Sequence, residues 1–214
     1  GRKEKMKKHE WRKAEKELYL PKPKAEFVDV PEFNFLSIQG EGNPNAPDFA
    51  ERIQALYPCC YSIKMGLKNL KLNNYSDFTV YPLEGLWDLN EEGRKNYSQS
   101  GLNKDHLIYT LMIRQPDFVN EDLANDFIQK AYLKKKNPLI NEVKFIKYKE
   151  GPSIQMLHIG SFDDEKSSFN IMEEFALKNG MKRKSMKHRE IYLSDFRKVE
   201  KSKLKTVLRF QVEV

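Results

Sequence analysis

A chain of 214 residues has room for one large domain or two small ones. With 39% hydrophobic residues, 13 Phe and 10 Tyr it can fill a core, which argues against global disorder, and no apolar run approaches the ~20 residues needed to span a bilayer. The net charge of +7 sits almost wholly in residues 1–24, where ten Lys or Arg face four Glu, so the rest of the chain is nearly neutral.

That basic stretch, "GRKEKMKKHEWRKAEKELYLPKPK", is expected to be a solvated, partly helical extension whose partner the sequence does not name. The body shows no helix-turn-helix, zinc finger or aromatic nucleic-acid platform, so no nucleic-acid face is expected on it. No signal-peptide pattern is evident. Cys59 and Cys60 are neighbours in a predicted helix and project about 100° apart. They read as reduced thiols of a cytoplasmic protein.

After "LPKPK", residues 26–38 are rich in Val, Phe and Ile and read as a strand ending at Gly40, and "GEGNPNAPD" follows as a turn. A helix is predicted over 47–65, where Phe49, Ile53, Leu56, Cys60 and Ile63 form one apolar stripe. Pro58 should kink or restart it, because it lacks a backbone donor. Two strands are expected at 78–89 and 107–116, joined by a long hairpin loop over the polar segment 90–106. Next comes a helix at 121–136, with Asn120 as N-cap and Glu121 and Asp122 in its first turn. Strands are predicted on either side of a Gly151-Pro152 turn, then a helix over 164–179 closed by Gly180. "HREIYLSD" and "KTVLRFQVEV" complete the chain as strands.

Strand–helix–strand–strand occurs twice, at about 33–116 and 152–214, with a helix and strand linking the units over 117–151. The expected architecture is α+β: a basic extension (1–24), then one domain (25–214). In that domain the duplicated units share one antiparallel sheet, with helices on one face and a central ligand groove where the units meet.

In "HREIYLSD", alternation places His188, Glu190 and Tyr192 on one side and Arg189, Ile191 and Leu193 on the other. Glu190 is then either a polar anchor in a pocket or part of a solvated face, free to pair with Arg189 or Lys205. Tyr57 and Tyr61 lie four apart on one helix face, and two hydroxyls there favour a pocket lining for at least one. Tyr109 alternates with core residues and suits core or pocket equally. His158 is a lone strand histidine, more often structural than catalytic. Gly85 leaves room for a ligand or strand to approach. No further His, Cys or carboxylate stands at metal-ligand spacing and no nucleotide fingerprint follows "GEGNP", so neither metal nor cofactor is expected.

The blocks "IQALYPCCYSIKM", "YPLEGLW", "TLMIRQPDFV", "MLHIGSFDDE" and "REIYLSDFRKVEKSKLKTVLR" resemble the GyrI-like small-molecule-binding family, in the family's order and over about residues 26–214. Asp88, Ser161, Phe162 and Phe196 stand where the family commonly has Trp, Pro, Tyr and Pro. The resemblance implies a groove for bulky aromatic or cationic compounds. It places the family's ligand-contacting glutamate on Glu190, makes Trp87 the leading aromatic-cage residue with core packing as its alternative, and sets Glu84 on the comparable strand of the first repeat. The ligand-binding set expected is therefore Tyr57, Tyr61, Glu84, Trp87, Tyr109, His158, Glu190 and Tyr192. Binding or sensing of xenobiotic small molecules is the leading expectation. The alternative is a hydrolase that opens strained cyclopropane rings, with Glu190 or Glu84 as its catalytic carboxylate.

Overall fold

The computed structural model describes residues 7–214, so what was expected of residues 1–6 lies outside the described chain. Two single-turn helices open it, α1 (Trp11–Ala14) and α2 (Lys16–Tyr19). The first repeat is β1 (Glu26–Glu41), α3 (Pro47–Leu70), β2 (Leu83–Leu89), α4 (Glu91–Ser100) and β3 (Leu107–Gln115). After α5 (Glu121–Lys135), the second repeat runs β4 (Lys144–Ile159), α6 (Glu165–Lys178), β5 (Lys182–Arg183), β6 (His188–Tyr192) and β7 (Lys205–Glu213).

All strand pairs are antiparallel, in the order β4-β1-β3-β2-β6-β7-β5. An additional β4–β7 pairing, from Ser153↔Gln211 to Ile159↔Lys205, closes the sheet into a barrel and leaves β5 outside the ring. Closure was not foreseen from the sequence. It arises because β4 is one uninterrupted strand rather than two strands around a turn. Gly151, with φ of 72°, changes the alternation inside β4, so that Glu150 and Gln155 both reach Arg209. A Cβ at that φ would be strained.

Helices pack on the outer face of the barrel. The expected stripe of α3 (Phe49, Ile53, Leu56, Cys60, Ile63) is buried, and the helix runs through Pro58 to Leu70. Met172 and Ala176 of α6 cover Ile154, Met156, Leu208 and Phe210. Asn120 caps α5 as expected, its Oδ1 accepting from Leu123 N at 2.9 Å. Cys59 and Cys60 are buried free thiols, and burial pushes the Cys59 thiol up to about 12.

Segment 90–106 corrects the expected hairpin loop: it carries α4. The helix is polar on every face, so no apolar period announces it. Its local signal was present in Asn90, whose Oδ1 caps Gly93 N at 2.8 Å, with Glu91 and Glu92 following. Strand β2 starts five residues later than expected, at Leu83, because Phe78 bridges His9 instead and Pro82 cannot donate to a ladder.

The N-terminal segment corrects a second expectation. From Trp11 onward it is docked, with Trp11 6% and Tyr19 2% exposed. Trp11 Nε1 donates to Val80 O at 2.9 Å, and Arg114 Nη1 reaches Glu15 Oε1 at 2.6 Å and Tyr19 Oη at 3.1 Å. Leu18 and Tyr19 thereby cover one end of the barrel interior, beside Glu84, Glu150 and Arg189.

Candidate functional site

The two repeats meet where β2 pairs with β6, in the register Glu84↔Ile191, Gly85↔Glu190, Leu86↔Arg189 and Trp87↔His188. Opposed residues share a face and successive residues alternate, so this seam has two chemically different sides.

Toward the barrel interior point Glu84, Leu86, Arg189 and Ile191. Arg189 donates to Glu84 Oε1 (3.0 Å) and Glu150 Oε2 (3.0 Å), and Arg209 donates to Glu150 Oε1 (2.9 Å) and Gln155 Oε1. Burial works to raise the Glu150 carboxyl, but Arg189 and Arg209 outweigh it and hold it below its ordinary value. At Glu84 burial prevails and the shift is upward. This is a closed ion-pair network. Glu84 therefore lies across the sheet from Glu190, although both stand on comparable strands: a one-residue offset in register reverses the face.

Toward the helices point Gly85, Trp87, His188, Glu190 and Tyr192. Trp87 Nε1 donates to Tyr192 Oη (2.9 Å), and Tyr192 Oη donates to Glu190 Oε1 (2.9 Å). His188 Nε2 stands 3.0 Å from Glu190 Oε2 and donates to it. A Cβ at Gly85 would lie 2.6 Å from Trp87 Nε1 and 3.1 Å from Tyr192 Oη, so glycine makes room for this chain of bonds. The close approach anticipated at Gly85 is thus made by the protein's own indole and phenol. A Cβ at Gly40 would likewise come within 2.4 Å of the Tyr109 ring.

Aromatic rings gather above this polar floor. Phe49 of α3 packs on Trp87 (5.7 Å between ring centres) and edge-on to Tyr109 (5.3 Å), while Trp87 and Tyr109 are 5.0 Å apart. Phe196 meets Phe49 (6.2 Å), Tyr192 (5.4 Å) and Phe162 (5.9 Å), and Phe162 meets Tyr192 edge-on (5.9 Å). Phe162 is 37% exposed and forms the outer layer. The substitutions at positions 162 and 196, far apart in sequence, are neighbours here.

Glu165, the first residue of α6, joins the same floor. It is 7% exposed, its Oε2 has no hydrogen-bond partner among the described residues, and one ligand atom from each of Glu165, His188 and Glu190 lies within 4.8 Å of the others. Burial and the neighbouring Glu190 push Glu165 well above the ordinary carboxylate range. Burial would raise Glu190 too, but the hydrogen bonds from His188 and Tyr192 outweigh it and hold Glu190 below its ordinary value. The two neighbouring carboxyls are thus shifted in opposite directions, Glu165 upward and Glu190 downward.

Of the residues singled out from the sequence, the structure brings together Trp87, Tyr109, Glu190 and Tyr192. His158 stands apart. Its Nε2 faces Ser161 O at 2.8 Å and donates to it, leaving Nδ1 to accept from Ser168 Oγ at 2.8 Å. The ring thus fixes the turn that carries Phe162 and Glu165. Tyr57 packs against the rim of the main core, and burial raises its phenol to about 12. Tyr61, 51% exposed, stacks on Tyr57 and faces outward with it into a groove of about 610 Å³ between α3 and α5. Sequence reading missed Phe49, Phe162, Phe196 and Glu165 as site residues. An acid at the start of a helix has the ordinary reading of a dipole partner, and nothing in the pattern separates the two.

A duplicated α+β unit with a carboxylate under aromatic rings at its seam defines a small-molecule-binding domain. The model of the GyrI-like small molecule binding domain matches residues 23–213, and the chain belongs to that family. It is similar to a hydrolase from Listeria innocua, with 36% identity and a TM-score of 0.85 over 96% of this chain and 100% of that one. A second solved structure described as a hydrolase from the same organism shows 37% identity and a TM-score of 0.85 over 97% of this chain and 100% of that one. The C-terminal domain of EcmrR, at 14% identity and a TM-score of 0.50 over 89% of this chain and 97% of that one, shares the fold. A search of curated proteins gives no match. Among the described residues no helix is long and apolar enough to cross a membrane.

Proposed function

We propose that the helix-side seam binds bulky aromatic compounds, cationic ones above all, with Glu190 as countercharge and Trp87, Tyr109 and Tyr192 as the ring walls. The observation that carries this reading is the Trp87–Tyr192–Glu190 hydrogen-bond chain, which aims a buried carboxylate at a packed set of rings. Tyr192 and His188 give Glu190 hydrogen bonds but no fixed arginine or lysine lies against it among the described residues, so the buried carboxylate gains from a cationic ligand, and each ring face adds roughly 0.5–2 kcal/mol by cation–π attraction. Phe162 and Phe196 close the site, and both sit outside the long helices and the sheet. They swing aside on ligand entry in this reading, which makes the protein a capture or sensing module of the cytoplasm.

The experiment is a titration of an aromatic monocation followed by tryptophan fluorescence in the Trp11→Phe variant, where Trp87 is the sole indole of the chain's 2 Trp. Saturable quenching supports the reading, and an unchanged signal up to millimolar probe sinks it.

A second reading is favoured by the 36% and 37% identical relatives described as hydrolases. Here Glu190 accepts a proton from a water whose oxygen bonds to a ring carbon; the cyclopropane C–C bond breaks, its electron pair passes into the ligand's conjugated acceptor, which is then protonated, and the rings stabilise the positive charge that develops at the attacked carbon. Glu84, enclosed with Arg189 on the other side of the sheet, has no part in it. Mass-spectrometric detection of water added to a cyclopropane-containing alkylator separates the two readings.

A further inference from the structure

Glu165 enters the site from α6, an element whose sequence gave no hint of it. Three facts constrain its role. It is 7% exposed, its Oε2 is unpartnered among the described residues, and it shares a floor with Glu190, where its ligand atom and those of His188 and Glu190 fall within 4.8 Å of one another. Both Glu190 oxygens already accept hydrogen bonds, from Tyr192 at 2.9 Å and His188 at 3.0 Å. The groups facing Glu165 are thus His188, Glu190 and Tyr192 of β6, together with Asp163 of the preceding turn. Two carboxylates so placed and so dry do not both ionise. Glu190 has the donors, so the charge rests there and the proton rests on Glu165. The N-terminus of α6 favours an anion at position 165, but at ~0.3–1 kcal/mol that pull is small beside the repulsion and desolvation it opposes.

We propose that Glu165 is a ligand-recognising residue of this site, offering a carboxylic-acid O–H to an acceptor on the ligand while Glu190 supplies the negative charge. The ligand class this defines is narrower than "aromatic cation": a flat cationic or electron-poor ring system with a carbonyl or ether oxygen near its charged end. The Glu165 carboxyl makes no hydrogen bond to Glu190 among the described residues, so its O–H is free for such a ligand. This inference rests on the proposed binding function.

The test uses two matched aromatic monocations, one bearing a ring carbonyl and one lacking it, titrated calorimetrically into the full chain and into Glu165→Gln, Glu165→Leu and Glu190→Gln variants. Wild type should prefer the carbonyl probe about tenfold, the worth of one buried hydrogen bond at ~1.4 kcal/mol. Glu165→Gln, which keeps an N–H donor, should retain most of the preference, and Glu165→Leu should abolish it. Infrared difference spectra of wild type minus Glu165→Gln should show a protonated-carboxyl C=O band. This arm needs no ligand and is read on the folded protein before any binding. Equal binding of both probes by wild type, an undiminished preference in Glu165→Leu, or no carboxylic-acid band overturns the inference and leaves the binding function standing. Failure of both probes to bind wild type removes both.

Discussion

Glu190 is 8% exposed and holds hydrogen bonds to Tyr192 and His188, so its carboxylate is fixed in place before any ligand arrives. Gly85 sits opposite it in register and is the reason the indole of Trp87 can lie across β2. In Gly85→Ala the new methyl meets Trp87 Nε1 at 2.6 Å, and relief requires the indole to leave Tyr192. That variant should lose ~1–3 kcal/mol of stability by chemical denaturation, with a shifted Trp87 emission; a stability within error of wild type would mean the packing is loose. Alternation alone placed Glu190 and Tyr192 on one face, and they are there. The same rule could not place Glu84, because which side of β2 faces outward depends on its register with β6, a non-local quantity. Glu165 and Phe49 reach the site from helices, and their convergence is set by how α6 and α3 cross the barrel rather than by anything along the chain.

At the scale of elements, the N-terminal segment departs most from expectation. Its lysines read as a solvated tail, yet Trp11, Glu15 and Tyr19 fasten it across the barrel end through Val80 and Arg114. The charge count outweighed the two aromatic residues in the sequence reading, and those two residues decide the packing. Trp11→Ala should cost about 3 kcal/mol and expose residues 7–20 to proteolysis ahead of the barrel, as followed by limited digestion. Glu15 also gives a pH signature. Burial would raise its carboxyl, but His9, Arg114 and Tyr81 outweigh burial and hold it below the ordinary 4.5. A depressed folded value means its contribution is complete above the unfolded value near 4.5 and is lost as pH falls through the lower folded value. Glu15→Gln should therefore flatten the acid limb of stability below about pH 4.5 and leave its shape near neutrality unchanged. A steep acid limb in the variant would assign the loss to other carboxyls. By contrast the helices α3, α5 and α6 were legible, since apolar stripes, Asn caps and glycine stops are local signals. The polar α4 had only its cap to announce it.

On the scale of the whole molecule, the seam between the repeats divides two kinds of carboxylate. On the inner side, Glu84 and Glu150 are neutralised by Arg189 and Arg209, and the network holds the closed barrel together. Replacing Arg189 with Met should cost ~3–5 kcal/mol, because it strands the buried Glu84 and leaves Glu150 to Arg209 alone, and it should leave the helix side of the seam intact in whatever fraction folds. On the outer side, Glu190 has hydrogen-bond donors but no arginine or lysine among the described residues, and rings surround it. Duplication was readable because each unit repeats strand, helix, strand and strand. Closure was not, because it depends on β4 reaching β7 through the altered alternation at Gly151. The most direct test of the account compares the affinities of an aromatic monocation and its neutral isostere for wild type and Glu190→Gln by titration calorimetry. The account predicts that wild type favours the cation, that Glu190→Gln weakens it by ~1.5–3 kcal/mol, the range for a hydrogen bond to a charged group, and that the neutral isostere is unaffected. Equal affinity of wild type and variant for the cation would contradict it.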